Sequence, residues 1–351
     1  MGKRIVIMAG GTGGHVFPAL AVALWLKENA WEVSWLGTHK GLESKVVPEH
    51  GIDIDWLSVA GVRGKGLLSK LASVFKLIKA CGQAFVILRR RKPNVVLGMG
   101  GFVAGPGGLM AKLLGMPLVI HEQNRIPGTT NKLLAKIANR VLEAFPNSFK
   151  KSVNAQCTGN PLRKQFQVLP MAKAKEKNQS LRLLIIGGSQ GAQVLNEVIP
   201  DALASIEKIE VKHQTGVAMQ EQVANRYQAL GVKAEATAFI QDMVSAYQWA
   251  DIIICRAGAM TISEVSAMGL PTILIPLPNA IDDHQMANAR FLSESGAGFI
   301  LPQKELNANN LIELIGKAKQ QLDVMAKAAR QCARMDATET VASICIREAK
   351  Q

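Results

Sequence analysis

The chain has 351 residues, of which 48% are apolar, and this length exceeds what one hydrophobic core usually serves. Its five cysteines form an odd set without a Cys-x-x-Cys pair, so we expect idle thiols in a reducing compartment. The net charge is +14, no signal peptide is evident, and no apolar stretch reaches about 18 residues, which excludes a transmembrane helix. We therefore expect two domains in the cytoplasm.

Strand and helix patterns alternate along the whole chain. In the first half, strands are predicted at residues 5–8, 33–36, 95–97, 118–120 and 140–142. In the second half, they are predicted at residues 183–186, 211–213, 234–239, 252–255, 272–275 and 298–301. Regular alternation of this kind predicts parallel sheets with helices on both faces, which is the α/β class.

The first predicted strand leads into a glycine-rich loop, Gly10-Gly11-Thr12-Gly13-Gly14-His15, and then into a helix. Such a loop brings backbone N–H groups close to a ligand, and the helix N-terminus favours an anion. The third glycine of a dinucleotide fingerprint is missing, and no acidic residue ends the second strand, so NAD is disfavoured. A tight turn without a ligand is the alternative. His15 suits a neutral base, although a lone histidine is more often structural.

An aspartate pair, Asp53-Ile54-Asp55, matches the Asp-x-Asp pattern of metal-dependent sugar transferases. It lies in an alternating strand-like run, far from any glycine turn. We therefore interpret it as the solvated face of an edge strand.

The positive charge is concentrated in residues 56–121, which contain ten basic residues and no acidic one. Such a field indicates an anionic surface, either a membrane or a nucleic acid. Within it, the apolar positions of residues 67–88 have helical spacing beside lysines. Leu71, Phe75 and Ile78 are core residues in the usual interpretation, whereas a basic amphipathic stretch also fits a membrane surface.

Two further groups follow predicted strands of the first half. Gly98-Met99-Gly100-Gly101 is a second glycine cluster, for which anion binding competes with close packing. His121-Glu122-Gln123-Asn124 ends a strand at the place where open α/β sheets bind ligands, with an ordinary surface loop as the alternative.

The second half repeats the strand–turn–helix pattern at Gly187-Gly188-Ser189-Gln190-Gly191 and again at Arg256 to Glu264. Glu264 could accept hydrogen bonds from a ribose diol, or Thr261 and Glu264 could form a capping box. For Asp282-Asp283-His284-Gln285, a sugar-contacting loop is preferred over a metal site.

The domain boundaries are placed from the same patterns. A linker is predicted near residues 159–161, and the last helix, residues 336–350, is expected to pack back on the first half. This divides the chain into residues 1–159 plus 336–351 and residues 160–335.

Taken in order, these motifs closely resemble the MurG family of peptidoglycan glycosyltransferases over nearly the whole chain. The resemblance rests on residues 10–19, 98–108, 121–131, 159–163, 187–192, 256–264 and 282–288. It implies a GT-B fold, in which two Rossmann-like doubly wound domains face a cleft. The implied reaction is transfer of N-acetylglucosamine from UDP-GlcNAc to the 4-hydroxyl of undecaprenyl-pyrophosphoryl-MurNAc-pentapeptide, with inversion.

The resemblance also implies roles for individual residues. The second domain would supply most of the donor site, with Ile240 at the uracil and Glu264 at the ribose. The remaining implied donor-site residues are Thr12, Gly13, Gly14, Asn124, Arg163, Ser189, Ala259, Met260, Thr261, Ile262, Ser263 and Gln285. Gly100 and Gly101 are candidates for the acceptor diphosphate. One departure is Gln193, where many relatives carry arginine.

The chemistry requires a base for the acceptor hydroxyl and a stabilised leaving group. His15 is the candidate catalytic base. Helix N-termini and Arg163 can stabilise the departing diphosphate, so no metal and no cofactor are expected.

The expected partners are UDP-GlcNAc, the undecaprenyl-linked muramyl-pentapeptide and an anionic membrane surface, with cell-wall synthesis proteins as further candidates. The expected location is peripheral, on the cytoplasmic face of the inner membrane. Two rival classes stay open: a GT-B enzyme that uses another sugar nucleotide or lipid acceptor, and a non-enzymatic nucleic-acid binder. The basic stretch contains few aromatic residues for base stacking, so nucleic acid is disfavoured.

Overall fold

Contacts divide the chain into two units, which are described separately. Unit 1 comprises Met1–Lys164 and Arg334–Gln351, and unit 2 comprises Gln165–Ala333. The computed structural model describes residues 3–59, 67–167, 180–188, 192–278 and 283–349, with the backbone alone for residues 67–73 and 167.

The strands of unit 1 are β1 Arg4–Met8, β2 Glu32–Gly37, β3 Asp53–Trp56, β4 Val95–Gly98, β5 Leu118–Glu122, β6 Arg140–Glu143 and β7 Gln156–Cys157. Its helices are α1 Gly13–Glu28, α2 Glu43–Glu49, α3 Leu67–Arg91, α4 Ala104–Leu113, α5 Thr129–Leu134 and, from the end of the chain, α14 Ala337–Glu348. A short helix, α6 Lys164–Gln167, begins at the boundary with unit 2.

The strands of unit 2 are β8 Leu181–Ile186, β9 Ile209–Gln214, β10 Ala234–Thr237, β11 Ile252–Cys255, β12 Thr272–Leu274 and β13 Gly298–Ile300. Its helices are α7 Gln193–Leu203, α8 Gln220–Ala229, α9 Met243–Trp249, α10 Ala259–Met268, α11 His284–Glu294, α12 Ala308–Gln320 and α13 Leu322–Cys332. These elements confirm every strand predicted from the sequence, although β10 stops at Thr237 rather than at Phe239.

Each unit is built on one parallel sheet. The order in unit 1 is β3-β2-β1-β4-β5-β6-β7, and the order in unit 2 is β10-β9-β8-β11-β12-β13. In both sheets the chain first adds strands on one side and then returns to the other side of the first strand. The predicted pair of doubly wound, Rossmann-like domains is therefore confirmed.

Helices cover both faces of the unit 1 sheet. Ile5 and Ile7 of β1 pack in a core with α1 and α14, whereas Val6 and Met8 pack in a second core with α3 and α4. An apolar strand without polar alternation is what a doubly covered parallel sheet requires. The packing of α14 on unit 1 confirms the expectation for the last helix.

The linker predicted near residues 159–161 falls within unit 1 by contacts. Gly159 accepts a hydrogen bond from the His121 ring, and the Asn160 side chain donates to the carbonyl of Gln123. This segment is therefore buried inside unit 1, and the contact boundary falls later, between Lys164 and Gln165.

The aspartate pair lies on β3, which is the edge strand expected for it, but its two carboxylates differ. Asp53 is exposed, whereas Asp55 is buried and forms ion pairs with Arg90 and Arg91 from the end of α3. The interpretation as a solvated face is therefore wrong for Asp55, because a helix from the basic stretch covers it.

Candidate functional site

The glycine clusters of unit 1 meet at one place in its sheet. β1 and β4 are neighbours, and the order of the strands reverses between them. Loops at the carboxyl ends of two such strands diverge to opposite faces, which leaves a crevice for ligands in open α/β sheets. The loop before His15 follows β1, and the loop that contains Gly100 follows β4.

Close packing between these two loops explains two of their glycines. Gly101 has a φ of +79°, and a Cβ built on it would collide with the carbonyl oxygen of Gly10. Gly100 has a φ of +93°, and its Cβ would lie 2.9 Å from the ring of His15. The close-packing explanation therefore holds for both, and their contact with the acceptor diphosphate stays a prediction.

The N-terminus of α1 faces this crevice, and no acidic side chain lies in its first turn. Thr12 is the N-cap in an extended conformation, and its side chain does not cap the helix. Gly13, Gly14 and His15 form the first turn, which contains no acidic residue. A helix start with unpaired N–H groups attracts an anion or a polar oxygen.

A buried carboxylate holds the β1 loop in place. Glu43 of α2 accepts a hydrogen bond from the N–H of Gly11 at 2.9 Å. It also accepts from the N–H and hydroxyl of Thr38, each at 2.8 Å. Because Glu43 is fully buried, these bonds fix the loop that leads into His15.

His15 belongs to a hydrogen-bonded chain of three side chains. Its Nδ1 lies 2.8 Å from Oε1 of Gln123. The amide nitrogen of Gln123 lies 3.0 Å from Nδ1 of His121, and Nε2 of His121 donates to the carbonyl of Gly159 at 2.9 Å. Gln123 and His121 are fully buried, whereas His15 is half-buried.

His121 is a neutral ring within this chain. Burial lowers its pKa from 6.5 to about 4, and this effect outweighs the hydrogen bond to Gly159, which alone would raise the pKa. At neutral pH the ring therefore carries one proton, and one ring nitrogen is free to accept a hydrogen bond.

The neighbouring carboxylate, Glu122, orders the segment after β5. One oxygen accepts from the N–H of Asn124 at 2.9 Å, and the other accepts from Gly128 and Asn131. Asn124, a predicted sugar contact, is thus placed next to Gln123 at the carboxyl end of the strand.

Arg163 lies in unit 1, although the predicted boundary put it in the second domain. Its guanidinium lies over the ring of Phe17, 5.9 Å from the ring centre. Because Phe17 belongs to α1, this contact brings a cation to the same helix that carries His15.

In unit 2, the reversal of strand order lies between β8 and β11. The turn after β11 leads to α10, whose N-cap is Gly258 and whose first turn contains no acidic residue. Ala259, Met260 and Thr261 form this first turn, and Ile262 and Ser263 follow. The helix begins before Thr261, so the alternative of a capping box from Thr261 to Glu264 is wrong.

Glu264 is half-buried on α10, and its position is set by a tyrosine. The hydroxyl of Tyr247 donates to Oε2 of Glu264 at 2.9 Å. This bond fixes the carboxylate of Glu264, and its predicted contact with the ribose stays a prediction.

The segment at Ile240 is tied to the β8 loop by one side chain. Gln214, at the end of β9, donates to the carbonyl of Gly188 at 2.9 Å and accepts from the N–H of Ile240 at 3.1 Å. A cavity of about 240 Å³ adjoins this segment, with Phe239 and Ile240 in its lining. The backbone N–H of Ile240 is thus occupied by the side chain of Gln214.

Gln285 and Asn288 connect α11 to the loops beside it. Gln285 accepts from the N–H of Leu277 at 2.9 Å, and Asn288 donates to the carbonyl of Ala257 at 3.2 Å. Ser189 and Asp282 lie outside the described residues. Within the described ranges, no group of three or more histidine, cysteine or acidic side chains could hold a metal ion.

An apolar surface lies on α3 and α4, which pack against each other. On α3, Phe75 is 73% exposed and Ile78 is 62% exposed, so the core interpretation is wrong for both, and the Leu71 side chain lies outside the described part. The exposed apolar residues of this surface are Val74, Phe75, Leu77, Ile78, Phe85, Val86, Leu109 and Leu113, with Phe102 in the loop before α4. Lys76, Lys79 and Arg89 are also exposed on α3. In the part of the chain that the structure covers, no helix is both long and apolar enough to cross a bilayer.

Two residues that position the candidate site, Gln214 and Tyr247, were not predicted from the sequence, and His121 and Gln123 were predicted only as members of a polar group without individual roles. A signal was present for the second pair. His121 and Gln123 are two residues apart at the end of a strand, so their side chains point to the same face. Gln214 likewise ends a strand. The Tyr247 contact joins two helices and has no local sequence signal.

Comparison with known proteins gives full-length matches. Family models for glycosyltransferase family 28 match over residues 5–143, as the N-terminal domain, and 182–344, as the C-terminal domain. The UDP-N-acetylglucosamine--N-acetylmuramyl-(pentapeptide) pyrophosphoryl-undecaprenol N-acetylglucosamine transferase of Methylococcus capsulatus is 55% identical over 99% of both chains. The equivalent transferase of Shewanella frigidimarina is 50% identical over 97% of this chain and 96% of its own. The crystal structure of Acinetobacter baumannii MurG is similar with a TM-score of 0.85 and 39% identity, covering 98% of this chain and 99% of that one.

Proposed function

Since this chain belongs to glycosyltransferase family 28 and to the MurG family within it, we infer that it is a hexosyltransferase of peptidoglycan synthesis. It transfers N-acetylglucosamine from UDP-GlcNAc to undecaprenyl-pyrophosphoryl-MurNAc-pentapeptide, converting lipid I to lipid II. The observation that carries this conclusion is 55% identity, without a missing domain, to a transferase named for that reaction.

We propose that unit 2 recognises the nucleotide. Glu264 accepts the two ribose hydroxyls, with Tyr247 holding the carboxylate in place. The carbonyl of Ile240 meets the uracil, and the cavity lined by Phe239 and Ile240 is the candidate place for its ring. The first turn of α10 presents N–H groups to the diphosphate, and Ser189 is an additional candidate. Gln285 is the candidate sugar contact in this unit.

We propose that unit 1 carries the chemistry. Nε2 of His15 removes the proton from the muramyl 4-hydroxyl as this oxygen attacks the anomeric carbon. The bond from the anomeric carbon to the diphosphate oxygen breaks, and attack from the opposite face inverts the configuration. Thr12, Gly13 and Gly14 face the reacting groups, Asn124 contacts the sugar, and the guanidinium of Arg163 stabilises the negative charge that grows on the departing UDP.

We also propose that the surface on α3 and α4 meets the membrane that holds the acceptor. Its exposed apolar side chains lie beside Lys76, Lys79 and Arg89, and no acidic residue occurs in this part of the sequence. Apolar contact with the acyl region and attraction to anionic headgroups reinforce each other in peripheral binding. The enzyme would thereby approach the reactive end of a lipid-anchored substrate.

A transfer assay with a panel of donors tests the function. Purified enzyme is incubated with a radiolabelled sugar nucleotide and a lipid-linked muramyl-pentapeptide, and the lipid product is isolated. We expect transfer from UDP-GlcNAc and much less from UDP-glucose or UDP-N-acetylgalactosamine. Transfer from another donor, or to diacylglycerol in place of the muramyl acceptor, would support the alternative of a different GT-B transferase.

A further inference from the structure

The three-residue chain in unit 1 determines which nitrogen of His15 carries the proton. This hydrogen-bonded chain ends at the carbonyl of Gly159. A backbone carbonyl can only accept a hydrogen bond, so Nε2 of His121, 2.9 Å from that oxygen, must be the protonated nitrogen of its ring. Nδ1 of this neutral ring is therefore an acceptor.

The orientation of the Gln123 amide follows from its surroundings. One end of the amide lies 3.0 Å from Nδ1 of His121 and 3.0 Å from the carbonyl oxygen of the same residue. Both of these atoms are acceptors, so this end must be the amide nitrogen. The other end, Oε1, then points at His15.

The reverse orientation of the amide would be costly. It would place the side-chain oxygen of Gln123 against two acceptor atoms. It would also leave the N–H groups of the amide without those two acceptors. Since Gln123 is fully buried, the lost bonds would not be replaced by solvent. The backbone carbonyl of Gly159 thus fixes the tautomer of His121. The backbone carbonyl of His121 independently fixes the orientation of the Gln123 amide.

The last link of the chain is His15 itself. Its Nδ1 lies 2.8 Å from the carbonyl-type oxygen of Gln123, so Nδ1 must donate and must carry the proton of the neutral ring. Nε2 then holds a lone pair, and across the described ranges it accepts no hydrogen bond. The nearby carboxylate of Glu122 is engaged by Asn124, Gly128 and Asn131 and does not share this role.

We propose that His121 and Gln123 are positioning residues that set the tautomer of His15, so that Nε2 faces the reaction as the unprotonated base. This inference rests on the proposed role of His15. A base with the opposite tautomer would present an N–H to the acceptor hydroxyl and could not remove its proton. During the reaction Nε2 gains the proton, and Nδ1–H keeps its bond to a neutral amide.

The test reads the tautomer directly. Full-length enzyme is labelled with ¹⁵N-histidine, and long-range proton–nitrogen NMR assigns the proton on each ring, with His15→Ala identifying the His15 signals. In the unaltered enzyme at neutral pH we expect the proton on Nδ1 of His15. A proton found mainly on Nε2 would overturn the proposal.

A variant pair tests the consequence for catalysis. Gln123→Met removes the acceptor while keeping the length of the side chain. We expect the His15 proton to move largely to Nε2 and kcat to fall at least about tenfold, with UDP affinity unchanged, because a base in the wrong tautomer loses most of its contribution. The matched control is Gln83→Met, which removes an amide that binds Ser58 elsewhere in unit 1 and should leave the tautomer and kcat unchanged.

The possible results separate the proposals. A Gln123→Met enzyme that keeps the proton on Nδ1, or that changes tautomer with an unaltered kcat, would contradict the positioning role. Normal turnover of His15→Ala would instead remove His15 as the base, whatever the tautomer. Absence of sugar transfer by the unaltered enzyme would refute the proposed function and leave the NMR result to stand by itself.

Discussion

At the scale of the residue, buried carboxylates shape the loops of unit 1. Three buried glutamates each lie near the carboxyl end of a strand and accept hydrogen bonds from backbone N–H groups of the adjacent loop. They are Glu43, Glu122 and Glu143. Each carboxylate satisfies several backbone donors that would otherwise be unpaired in the interior. Loops that are rich in glycine can therefore keep one shape without a ligand.

The proposed contact of Glu264 with the ribose can be tested with two nucleotides, UDP and 2′-deoxy-UDP. Unaltered enzyme should bind UDP more tightly than 2′-deoxy-UDP, because the deoxy ligand lacks one hydroxyl for the carboxylate. Glu264→Ala should weaken UDP binding by roughly 2 kcal/mol, about thirtyfold in Kd, and should bind both ligands alike. Titration calorimetry measures all four affinities.

Tyr247→Phe is the matched control for Glu264, since it removes only the bond that positions the carboxylate. It should retain the preference for UDP over the deoxy ligand. If folded Glu264→Ala still discriminated between the two nucleotides, Glu264 would not contact the ribose.

The buried histidines predict how stability depends on pH. Burial lowers the pKa of His121 to about 4 and that of His213 to about 3, from an ordinary 6.5. Above pH 6.5 both rings are neutral whether folded or unfolded. Below pH 6.5 the unfolded chain binds protons at these histidines, whereas the folded chain does not. Each histidine should therefore lower the free energy of unfolding by about 1.4 kcal/mol per pH unit, until the pH reaches its pKa in the folded chain.

Urea unfolding near pH 7 and near pH 5 measures this effect. His213→Phe should show a smaller loss between the two pH values than the unaltered enzyme, because one of the titrating groups is gone. His50→Gln changes an exposed histidine and should behave like the unaltered enzyme. An equal pH dependence in all three proteins would contradict the prediction.

The environment of a single residue could be predicted from the sequence where a local pattern determines it. Gly100 and Gly101 could be recognised as a glycine cluster after a strand, and the structure shows the close contacts that require them. The burial of Asp55 could not be recognised, because its arginine partners are about 35 residues away in the sequence. Long-range pairing of this kind has no local signature.

At the scale of the element, α3 departs most from an ordinary domain helix. Ala80, Ala84 and Leu88 face the core, whereas larger apolar residues face outward. Helical spacing predicted the helix itself, which runs from Leu67 to Arg91. Periodicity alone could not show which apolar side chains are buried, because the helix has apolar residues on two faces. Several exposed apolar side chains on one helix are typical of a binding surface.

Charge removal tests whether α3 meets a membrane. Replacing Lys76, Lys79 and Arg89 with glutamine should weaken binding to anionic vesicles by on the order of 1 kcal/mol per charge and should spare UDP affinity. Raising the salt concentration should weaken the binding of the unaltered enzyme in the same direction. Co-sedimentation with vesicles of phosphatidylglycerol and phosphatidylcholine measures both effects.

The matched control removes three exposed lysines from unit 2, Lys208, Lys319 and Lys327. This variant has the same net charge as the α3 variant but should bind vesicles like the unaltered enzyme. Equal binding by all three proteins would show that the membrane contact lies elsewhere. An equal loss in both variants would show that net charge alone is responsible.

At the scale of the whole molecule, the chain uses one topology twice. Both sheets are parallel and reverse their order beside the first strand, so each unit presents loops and a helix N-terminus at one edge. Alternating strands and helices made this predictable, since the pattern repeats along the chain. The domain boundary was less predictable. Gly159 and Asn160 are residue types typical of turns and linkers, but in the fold both form buried hydrogen bonds within unit 1.

The leaving group provides a prediction about metal ions. The diphosphate is proposed to be stabilised by helix N-termini and Arg163, so turnover should survive incubation with EDTA. The measurement is the initial rate of transfer before and after chelation, with a magnesium-dependent sugar transferase as the positive control. Loss of activity that magnesium or manganese restores would contradict this account and make Asp282 and Asp283 candidate ligands.

In the proposed mechanism, unit 2 recognises the donor and unit 1 activates the acceptor. Turnover of His15→Ala at saturating UDP-GlcNAc and lipid acceptor tests it most directly. We expect kcat to fall by roughly 10²- to 10⁴-fold with the Kd for UDP unchanged, as loss of a general base predicts. A kcat near that of the unaltered enzyme, or a loss of UDP affinity as large as the loss of turnover, would contradict the assignment of His15 as the base.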